Sequence, residues 1–238
     1  MKKLIQNISA TSLKGIGIFA GLEVNERDHI AGLCKAYSFE KDDIVLTHQE
    51  RSTDVFFIVS GSVRITIYSN SGRQITFRDL SAGQVFGELS AIDRQPRSAH
   101  VVSLGDSVLA LVKADEFWDL LSLYPLVNKN TLEYLTSLVR SLSERIVEFS
   151  TLSVNNRIHA ELLRLVQDSA QNEVEHIISP APTHADLANR VATNRETVTR
   201  ELNVLVRCGL IEKQGKSLII KNLEELERLV NTATNFIS

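Results

Sequence analysis

The residues best suited to bind a charged ligand lie close together in the stretch 86–99, which reads FGELSAIDRQPRSA. Glu88 supplies a carboxylate that can accept hydrogen bonds from sugar hydroxyls, and Arg97 supplies a planar fork that can hold phosphate oxygens in pairs. Gly87 leaves the backbone open to close approach, and a short helix starting at Glu88 would offer N–H groups to an anion. The stretch therefore predicts a pocket for a small sugar phosphate. On composition alone, an ordinary β-turn-β segment with a surface Glu and Arg is the simpler alternative.

The order of residues in this stretch resembles the phosphate-binding cassette of cyclic-nucleotide-binding domains. The matching positions are Phe86, Gly87, Glu88, Leu89, Ile92, Pro96, Arg97, Ser98 and Ala99. One departure is Ala91, where the family usually has Leu, and it implies a packing change only. The resemblance implies that Glu88 binds the ribose 2′-hydroxyl, while Arg97 and Ser98 hold the cyclic phosphate with help from backbone N–H groups. The implied ligand-binding residues here are Phe86, Gly87, Glu88, Leu89, Ser90, Arg97, Ser98 and Ala99.

The overall composition is that of a soluble globular protein with one or two domains. Of its 238 residues 43% are hydrophobic, and the net charge is −3. No run of about 18 apolar residues occurs and no signal peptide is evident, so we expect no membrane span and a cytoplasmic location. Cys34 and Cys208 lie far apart and belong to no C-x₂-C pair. A disulfide framework, a zinc site or an iron–sulfur cluster is therefore not expected.

Short alternating segments separated by turn residues run from position 38 to position 112, and this pattern predicts strands. The predicted strands are 43–48, 54–59, 62–68, 73–79, 99–104 and 107–112, with turns at 61–62, 69–72 and 105–106. Such a series is typical of a β-sandwich or a jelly-roll-like barrel, which leaves a pocket at its centre. Helices are predicted on either side of the strands, at Val24–Tyr37 and at Ala114–Leu123.

The most regular pattern in the chain is a row of apolar residues spaced three and four positions apart. The row consists of Leu132, Leu135, Val139, Leu142, Ile146 and Phe149. This spacing is an a/d heptad seam that no Pro or Gly interrupts, so we predict a long helix that forms a coiled coil with a second copy. Plain core packing within one chain is the alternative. Small polar residues at 150–155 predict a hinge, and the polar stretch 167–182 predicts a linker.

A second motif occupies positions 183–210. Thr183 and Asp186 form a Thr-x-x-Asp helix start, residues 192–194 form a tight turn, and Asn194 can cap the next helix. The outward face of that helix carries Arg195, Glu196, Thr199 and Arg200, and its inward face carries Val198, Leu202 and Leu205. A hairpin follows at 211–220, with Lys216 near its tip. The pattern predicts a winged helix-turn-helix with a polar recognition face.

The charge around this motif is positive, although the whole chain is slightly acidic. Residues 190–221 contain seven Arg and Lys residues and three Glu residues, and seven minus three gives +4. A local positive charge suits a partner that is held through its phosphates, such as DNA. A solvated pair of helices without a partner is the alternative.

The succession of sensor barrel, seam helix and winged helix-turn-helix resembles the catabolite-activator superfamily of bacterial transcription regulators. The resemblance covers roughly residues 15–221, and the segment NRETVTR at 194–200 is very similar to the recognition segment of the type member. The implied fold is α+β. The implied parts are a cyclic-nucleotide-binding β-roll of jelly-roll type at 1–125, a coiled-coil dimerisation helix and hinge at 126–153, and a winged helix-turn-helix DNA-binding domain at 154–238.

The resemblance implies an allosteric regulator that is not an enzyme. It implies cyclic AMP as ligand, with cyclic GMP as the alternative, and no metal. Its implied partners are a second copy, double-stranded DNA with TGTGA-like half-sites, and RNA polymerase. Ser143 is implied to contact the purine across the dimer, next to Leu142 where the type member has a further hydroxyl residue. The implied DNA-binding residues are Thr183, Asn194, Arg195, Glu196, Thr197, Thr199, Arg200 and Lys216.

Two other classes of function compete with this interpretation. A redox- or gas-sensing relative without nucleotide binding is disfavoured by the intact Glu88 and Arg97 and by the lack of clustered cysteines. An enzyme is disfavoured because the chain has no P-loop, no nucleophile–base pairing and no metal-ligand spacing among its six histidines. Activation and repression stay equal alternatives.

Overall fold

The computed structural model describes residues 3–5, 8–68, 74–169 and 176–234 of the chain. The chain divides into two compact units, Met1–Val139 and Arg140–Ser238, and one long helix contributes to both. Each unit has an apolar core of its own. The turn predicted at 69–72 lies outside the described residues.

The first unit is built on two antiparallel sheets. Its strands are β1 (Lys3–Ile5), β2 (Lys35–Phe39), β3 (Ile44–Leu46), β4 (Val55–Ser60), β5 (Ser62–Tyr68), β6 (Gln74–Ser81), β7 (Val85–Phe86), β8 (His100–Ser103) and β9 (Ser107–Val112). The strand orders are β1-β2-β9-β4-β7 and β3-β8-β5-β6, so most spatial neighbours are distant in sequence. This arrangement confirms the predicted N-terminal β-roll of jelly-roll type.

Helices precede, interrupt and follow these strands along the chain. They are α1 (Ala10–Leu13), a 3₁₀ turn at Gly17–Phe19, α2 (Val24–Leu33), α3 (Glu88–Asp93), α4 (Ala114–Leu123) and α5 (Pro125–Thr151). Ile30 of α2 and Phe117 of α4 are fully buried in the same cluster as Phe57 of β4. The bounds predicted for α4 are confirmed.

The helix predicted at Val24–Tyr37 is wrong at its C-terminal end. Helix α2 stops at Leu33, and Lys35–Phe39 forms β2, which pairs with β9 along its whole length. The apolar residues of this segment fit a helix and a strand equally well, and the pairing with β9 decides between them because it satisfies the backbone groups. Strand β1 was not predicted, since three residues are too few to show a period.

The second unit contains the helix-turn-helix and its wing. Its elements are α6 (Val154–Ser169), β10 (Ile177–Ile178), α7 (His184–Arg190), α8 (Arg195–Arg207), β11 (Ile211–Gln214), β12 (Ser217–Ile220) and α9 (Leu223–Thr234). One core holds Ile158 of α6, Leu187 of α7 and Leu202 of α8. The predicted helix-turn-helix and wing are confirmed. Strand β10 lies within the predicted linker and α9 was not predicted, while residues 170–175 are outside the described part.

The predicted seam lies along α5, which ends at Thr151, and only two residues separate it from α6. The break falls inside the hinge predicted at 150–155. Five of the six seam residues are exposed: Leu132 (60%), Val139 (62%), Leu142 (44%), Ile146 (67%) and Phe149 (37%). The described part of the chain therefore leaves an apolar row uncovered along one helix. None of the described helices is long and apolar enough to cross a membrane.

Candidate ligand site and nucleic-acid interface

The turn from β7 into α3 brings the backbone of Gly87 against the side chain of Arg97. Strand β7 pairs with β4, and the rings of Phe86 and Phe56 stack with centroids 5.0 Å apart. Gly87 has φ +83°, and a Cβ here would lie 2.9 Å from both Arg97 Nη1 and the carbonyl oxygen of Asp54. Only glycine fits such a position without a shift of its neighbours, so this turn requires the residue for two independent reasons.

Arg97 is buried deeply and is held by neutral acceptors. Its side chain is 2% exposed. Nε donates to Ser52 Oγ at 2.8 Å, Nη1 donates to the Gly87 carbonyl at 2.9 Å, and Nη2 donates to the Asp54 carbonyl at 2.8 Å. Burial lowers the pKa of Arg97, opposed by the carboxylates of Asp54, Glu50 and Glu88. Three of the five guanidinium N–H groups are used in this way, so the fork is fixed in direction while donors remain for a ligand.

Glu88 is the first residue of α3 and lies in the same corner. The residue is 4% exposed, and burial raises the pKa of its carboxyl group. Its own backbone N–H and the charges of Arg78 and Arg97 act against that rise. Among the described residues Glu88 forms no ion pair with either arginine. Two arginine charges nearby favour the ionised carboxylate, and an ionised carboxylate accepts hydrogen bonds from hydroxyl groups, which is the role that the sequence predicts for Glu88.

Two residues that the sequence analysis did not select complete this corner. Arg78 of β6 donates to Tyr134 Oη at 2.6 Å, and that hydroxyl donates to the Val85 carbonyl at 3.0 Å. Burial and the charge of Glu88 raise the pKa of Tyr134 to about 12. An arginine within a predicted strand is the signal that could have drawn attention to Arg78, because a charged side chain that a strand half-buries usually has a partner.

The other predicted ligand-binding residues differ in their surroundings. Ser90 and Ala99 are buried, whereas Leu89 and Ser98 are exposed. Ser143 is an exposed residue of α5 in the second unit, and its contact with a purine stays a prediction. The structure thus brings Gly87, Glu88 and Arg97 to one corner, as the cassette pattern predicts. Among the described residues no group of His, Cys, Asp and Glu could hold a metal ion.

Two of the predicted DNA-binding residues cap the helices of the helix-turn-helix. Thr183 Oγ1 accepts from the Asp186 N–H at 3.1 Å, and the Asp186 carboxylate accepts from the Thr183 N–H at 3.3 Å. Asn194 Oδ1 accepts from the Thr197 N–H at 2.8 Å. Both helix starts are therefore fixed by side chains, as the Thr-x-x-Asp and Asn signals predict. Ala192 makes the turn between the helices with φ +53°.

The recognition helix α8 presents charged side chains to solvent at its N-terminal end. Arg195, Glu196 and Arg200 are exposed, and so is Lys216 at the tip of the wing. Thr197 is half-buried beneath them. These side chains are available to reach the base edges and phosphates of a groove.

Thr199 is more enclosed than the sequence suggests, because its hydroxyl is used inside the motif. Thr199 Oγ1 donates to the Arg195 carbonyl at 2.9 Å and lies 2.7 Å from His184 Nδ1. A hydroxyl has one hydrogen, so Nδ1 carries the proton of the second bond. Burial, followed by the charges of Lys213 and Arg195, lowers the pKa of His184. His184 was not selected from the sequence, since a lone histidine at a helix start has no distinctive pattern.

Comparison with known proteins identifies both domains. The family model for a cyclic nucleotide-binding domain matches residues 37–124, and the model for a Crp-like helix-turn-helix domain matches residues 156–229. The first range contains Glu88 and Arg97, and the second contains most of α6 together with α7, α8 and the wing. The two models together cover the sensor and DNA-binding parts.

Relatives resemble the chain over most of its length. A CRP-like cAMP-activated global transcriptional regulator of Mycobacterium tuberculosis is 24% identical, over 89% of this chain and 95% of the relative. The cyclic AMP receptor protein of Thermus thermophilus is 26% identical, over 91% and 98%. The structure of a CooA mutant from Carboxydothermus hydrogenoformans has the same fold, with a TM-score of 0.77 at 18% identity over 96% of this chain and 98% of that one. With both domains matched in order, the chain belongs to the CRP/FNR superfamily of transcription regulators.

Proposed function

We propose that the chain is a homodimeric transcription regulator whose sequence-specific binding to DNA is controlled by a cyclic nucleotide, cyclic AMP in the first place and cyclic GMP as the alternative. One observation carries this proposal. Glu88 and Arg97 are buried in one corner at the start of a helix, and within the described residues their opposite charges do not form an ion pair. Burying two charges without pairing them is costly, and a ligand that engages both offsets that cost.

The chemistry of a cyclic nucleotide fits the two sides of this corner. Its phosphate would take the remaining donors of Arg97 and the backbone N–H groups at the start of α3. Its ribose hydroxyl would donate to Glu88, and the exposed hydroxyl of Ser98 is a further donor to phosphate. Ser143, carried over from the family pattern, would contact the purine.

The homodimer is supported by the uncovered apolar row on α5. Its residues repeat at the a and d positions of a heptad, which is the spacing that packs two helices as a coiled coil. Exposure of these large apolar side chains to water is unfavourable, and their burial on association would lower the free energy. A second copy would present an identical row, so the two rows could pack against each other across a two-fold axis.

The DNA site is proposed as a palindrome with TGTGA-like half-sites. Two recognition helices on a two-fold dimer meet major grooves about 34–36 Å apart, so half-site centres would be about 10 base pairs apart. Arg195 and Arg200 suit guanine O6 and N7, and Glu196 can accept from the cytosine amino group. The proposed regulator would also contact RNA polymerase. It would act in the cytoplasm, where bacterial DNA lies.

Fluorescence anisotropy on a labelled TGTGA palindrome tests this function. The full-length protein is titrated with and without cyclic AMP or cyclic GMP, against the palindrome and a scrambled duplex. We expect nucleotide to tighten binding to the palindrome only, and Glu196→Ala to lose discrimination worth about 1–3 kcal/mol at its base pair.

The outcomes separate the parts of the proposal. Equal affinity with and without either nucleotide would refute gating and favour a relative that senses something else. Equal affinity for palindrome and scrambled DNA would refute sequence-specific binding. If Glu196→Ala discriminated as well as wild type, the recognition face would lie elsewhere.

A further inference from the structure

A buried carboxylate in the second unit joins three elements of that unit. Glu161 of α6 is 1% exposed. Arg145 Nη1, from the part of α5 that belongs to this unit, donates to its Oε2 at 3.0 Å. Arg190 Nη1, from the end of α7, donates to its Oε1 at 3.1 Å, and Arg164 of α6 donates to Oε2 as well. One carboxylate therefore holds the seam helix and the first helix of the helix-turn-helix.

Arg145 makes a second link that does not pass through Glu161. Its Nη2 donates to the Arg190 carbonyl at 2.7 Å, at the C-terminal end of α7. A cation is favoured there because the last carbonyl groups of a helix carry partial negative charge. The planar fork of Arg145 thus bonds to α6 and α7 at the same time, and this fixes the direction of both bonds.

The same helix also holds the recognition helix. His159, two residues before Glu161 on α6, lies with Nε2 at 2.7 Å from Glu201 Oε1 on α8, and both side chains are almost fully buried. Polar contacts from α6 therefore reach α5, α7 and α8. Buried ionic contacts are costly to break one at a time, so these four helices should move together.

We propose that the network Arg145–Glu161–Arg190 carries a displacement of α5 to the helix-turn-helix and so makes DNA affinity depend on the ligand. The inference rests on the proposed function, because it takes the nucleotide in the first unit to act on α5. Arg145 and Glu161 are positioning residues in this scheme, since they act through the helices that they hold together.

Arg145→Gln and Arg145→Lys are the informative variants, because Glu161 keeps Arg164 and Arg190 in both. Gln removes the charge and the fork, and Lys keeps the charge without the fork. Glu148→Gln is the matched control. Glu148 lies one helical turn after Arg145 on α5 and accepts from Arg164 Nη2 at 2.6 Å, but within the described residues it forms no hydrogen bond or ion pair with α7. Circular dichroism verifies that each variant dimer is folded.

The readout is the ratio of DNA dissociation constants without and with saturating cyclic AMP, measured on the TGTGA palindrome with full-length protein. Allosteric coupling typically gives ratios of about 5–150, and we expect Arg145→Gln to bring the ratio close to 1, with Arg145→Lys between. Nucleotide affinity without DNA, measured by calorimetry, should match wild type. By reciprocity, the effect of DNA on nucleotide affinity should fall by the same factor. Glu148→Gln should keep the wild-type ratio.

A purely structural role predicts a different result. If Arg145→Gln weakened DNA binding equally with and without nucleotide and left the ratio unchanged, the inference would be refuted while the proposed function stood. If Glu148→Gln lowered the ratio as much as Arg145→Gln, the link to α7 would not be the one that matters. A wild-type ratio of 1 for both nucleotides would refute the proposed function itself, and this inference with it.

Discussion

Glu88 and Glu161 are both buried carboxylates, one in each compact unit, and their surroundings are opposite. Glu161 bonds with three arginines from α5, α6 and α7. Glu88 lies near two arginines and, within the described residues, pairs with neither. Arg97 likewise spends its bonds on a hydroxyl and two carbonyl groups. The comparison teaches that a closed ionic network fixes the relative positions of helices, whereas unpaired buried charges are suited to a ligand.

The largest expected effect comes from opening the closed network. Glu161→Gln leaves three arginines around a neutral side chain, and removing one partner of a buried pair typically costs about 3–5 kcal/mol. We expect the free energy of unfolding in urea to fall by about that amount, with an unchanged slope. Glu225→Gln, which breaks an exposed pair with Arg228, should cost much less, because water screens that pair. An equally small loss for Glu161→Gln would contradict the structural role of the network.

The next effect concerns the cation of the ligand site. Arg97→Leu removes the phosphate partner, and a hydrogen bond to a charged group is worth about 1.5–3 kcal/mol. We expect the dissociation constant for cyclic AMP, measured by calorimetry, to rise by at least about tenfold to a hundredfold. Arg94→Leu is the control, since Arg94 pairs at the surface with Asp115. Unchanged affinity in Arg97→Leu would remove the pocket assignment.

Glu88→Gln provides the sharpest contrast with Glu161→Gln, because stability should change in the opposite direction. Burial raises the pKa of Glu88, so the folded protein holds this proton more firmly than the unfolded chain does. Its contribution to stability is then full below the unfolded-state pKa and is lost as the pH rises through the folded-state pKa. Above the unfolded-state pKa the unfolded chain ionises this group more readily than the folded protein does, and Gln removes that loss of stability.

Thermal unfolding at two pH values tests this. The ligand-free Glu88→Gln variant should melt above wild type at pH 7, and the difference should shrink near pH 4, while nucleotide affinity falls by about tenfold. Glu133→Gln on the exposed side of α5 should change neither quantity. A destabilised Glu88→Gln protein at pH 7 would show that the carboxylate is structural, as Glu161 is.

The smallest effect tests whether α5 completes the site that Glu88 and Arg97 begin. Ser143→Ala would remove one neutral hydrogen bond to the purine, worth about 0.5–1.5 kcal/mol, so affinity should fall by about two- to tenfold. Because Leu142 supplies no hydroxyl, wild type should distinguish adenine from guanine weakly. Competition between cyclic AMP and cyclic GMP measures this. A preference of several orders of magnitude would contradict the prediction.

Sequence reasoning succeeded where the determining contacts are local. The Thr183 and Asn194 side chains cap helices by accepting from backbone N–H groups only three residues later. The cassette around Gly87 is likewise continuous in sequence. It failed where distant partners decide. Strand β2 depends on pairing with β9, and Arg78 meets Tyr134 from 56 positions away. Glu161 was not selected for the same reason, since its partners Arg145 and Arg190 lie 16 and 29 positions away and share no motif with it.

Gly87 has a consequence for how the molecule tolerates mutation. A Cβ at this position would press on both the guanidinium of Arg97 and the Asp54 carbonyl, in a backbone conformation that L-residues rarely adopt. Gly209 also has a positive φ of +71°, but open space surrounds the position where its Cβ would lie. In a library of all single substitutions, position 209 should therefore admit Asn, which enters left-handed conformations at low cost. At position 87 we expect no substitution, not even alanine, to survive a selection that requires nucleotide binding.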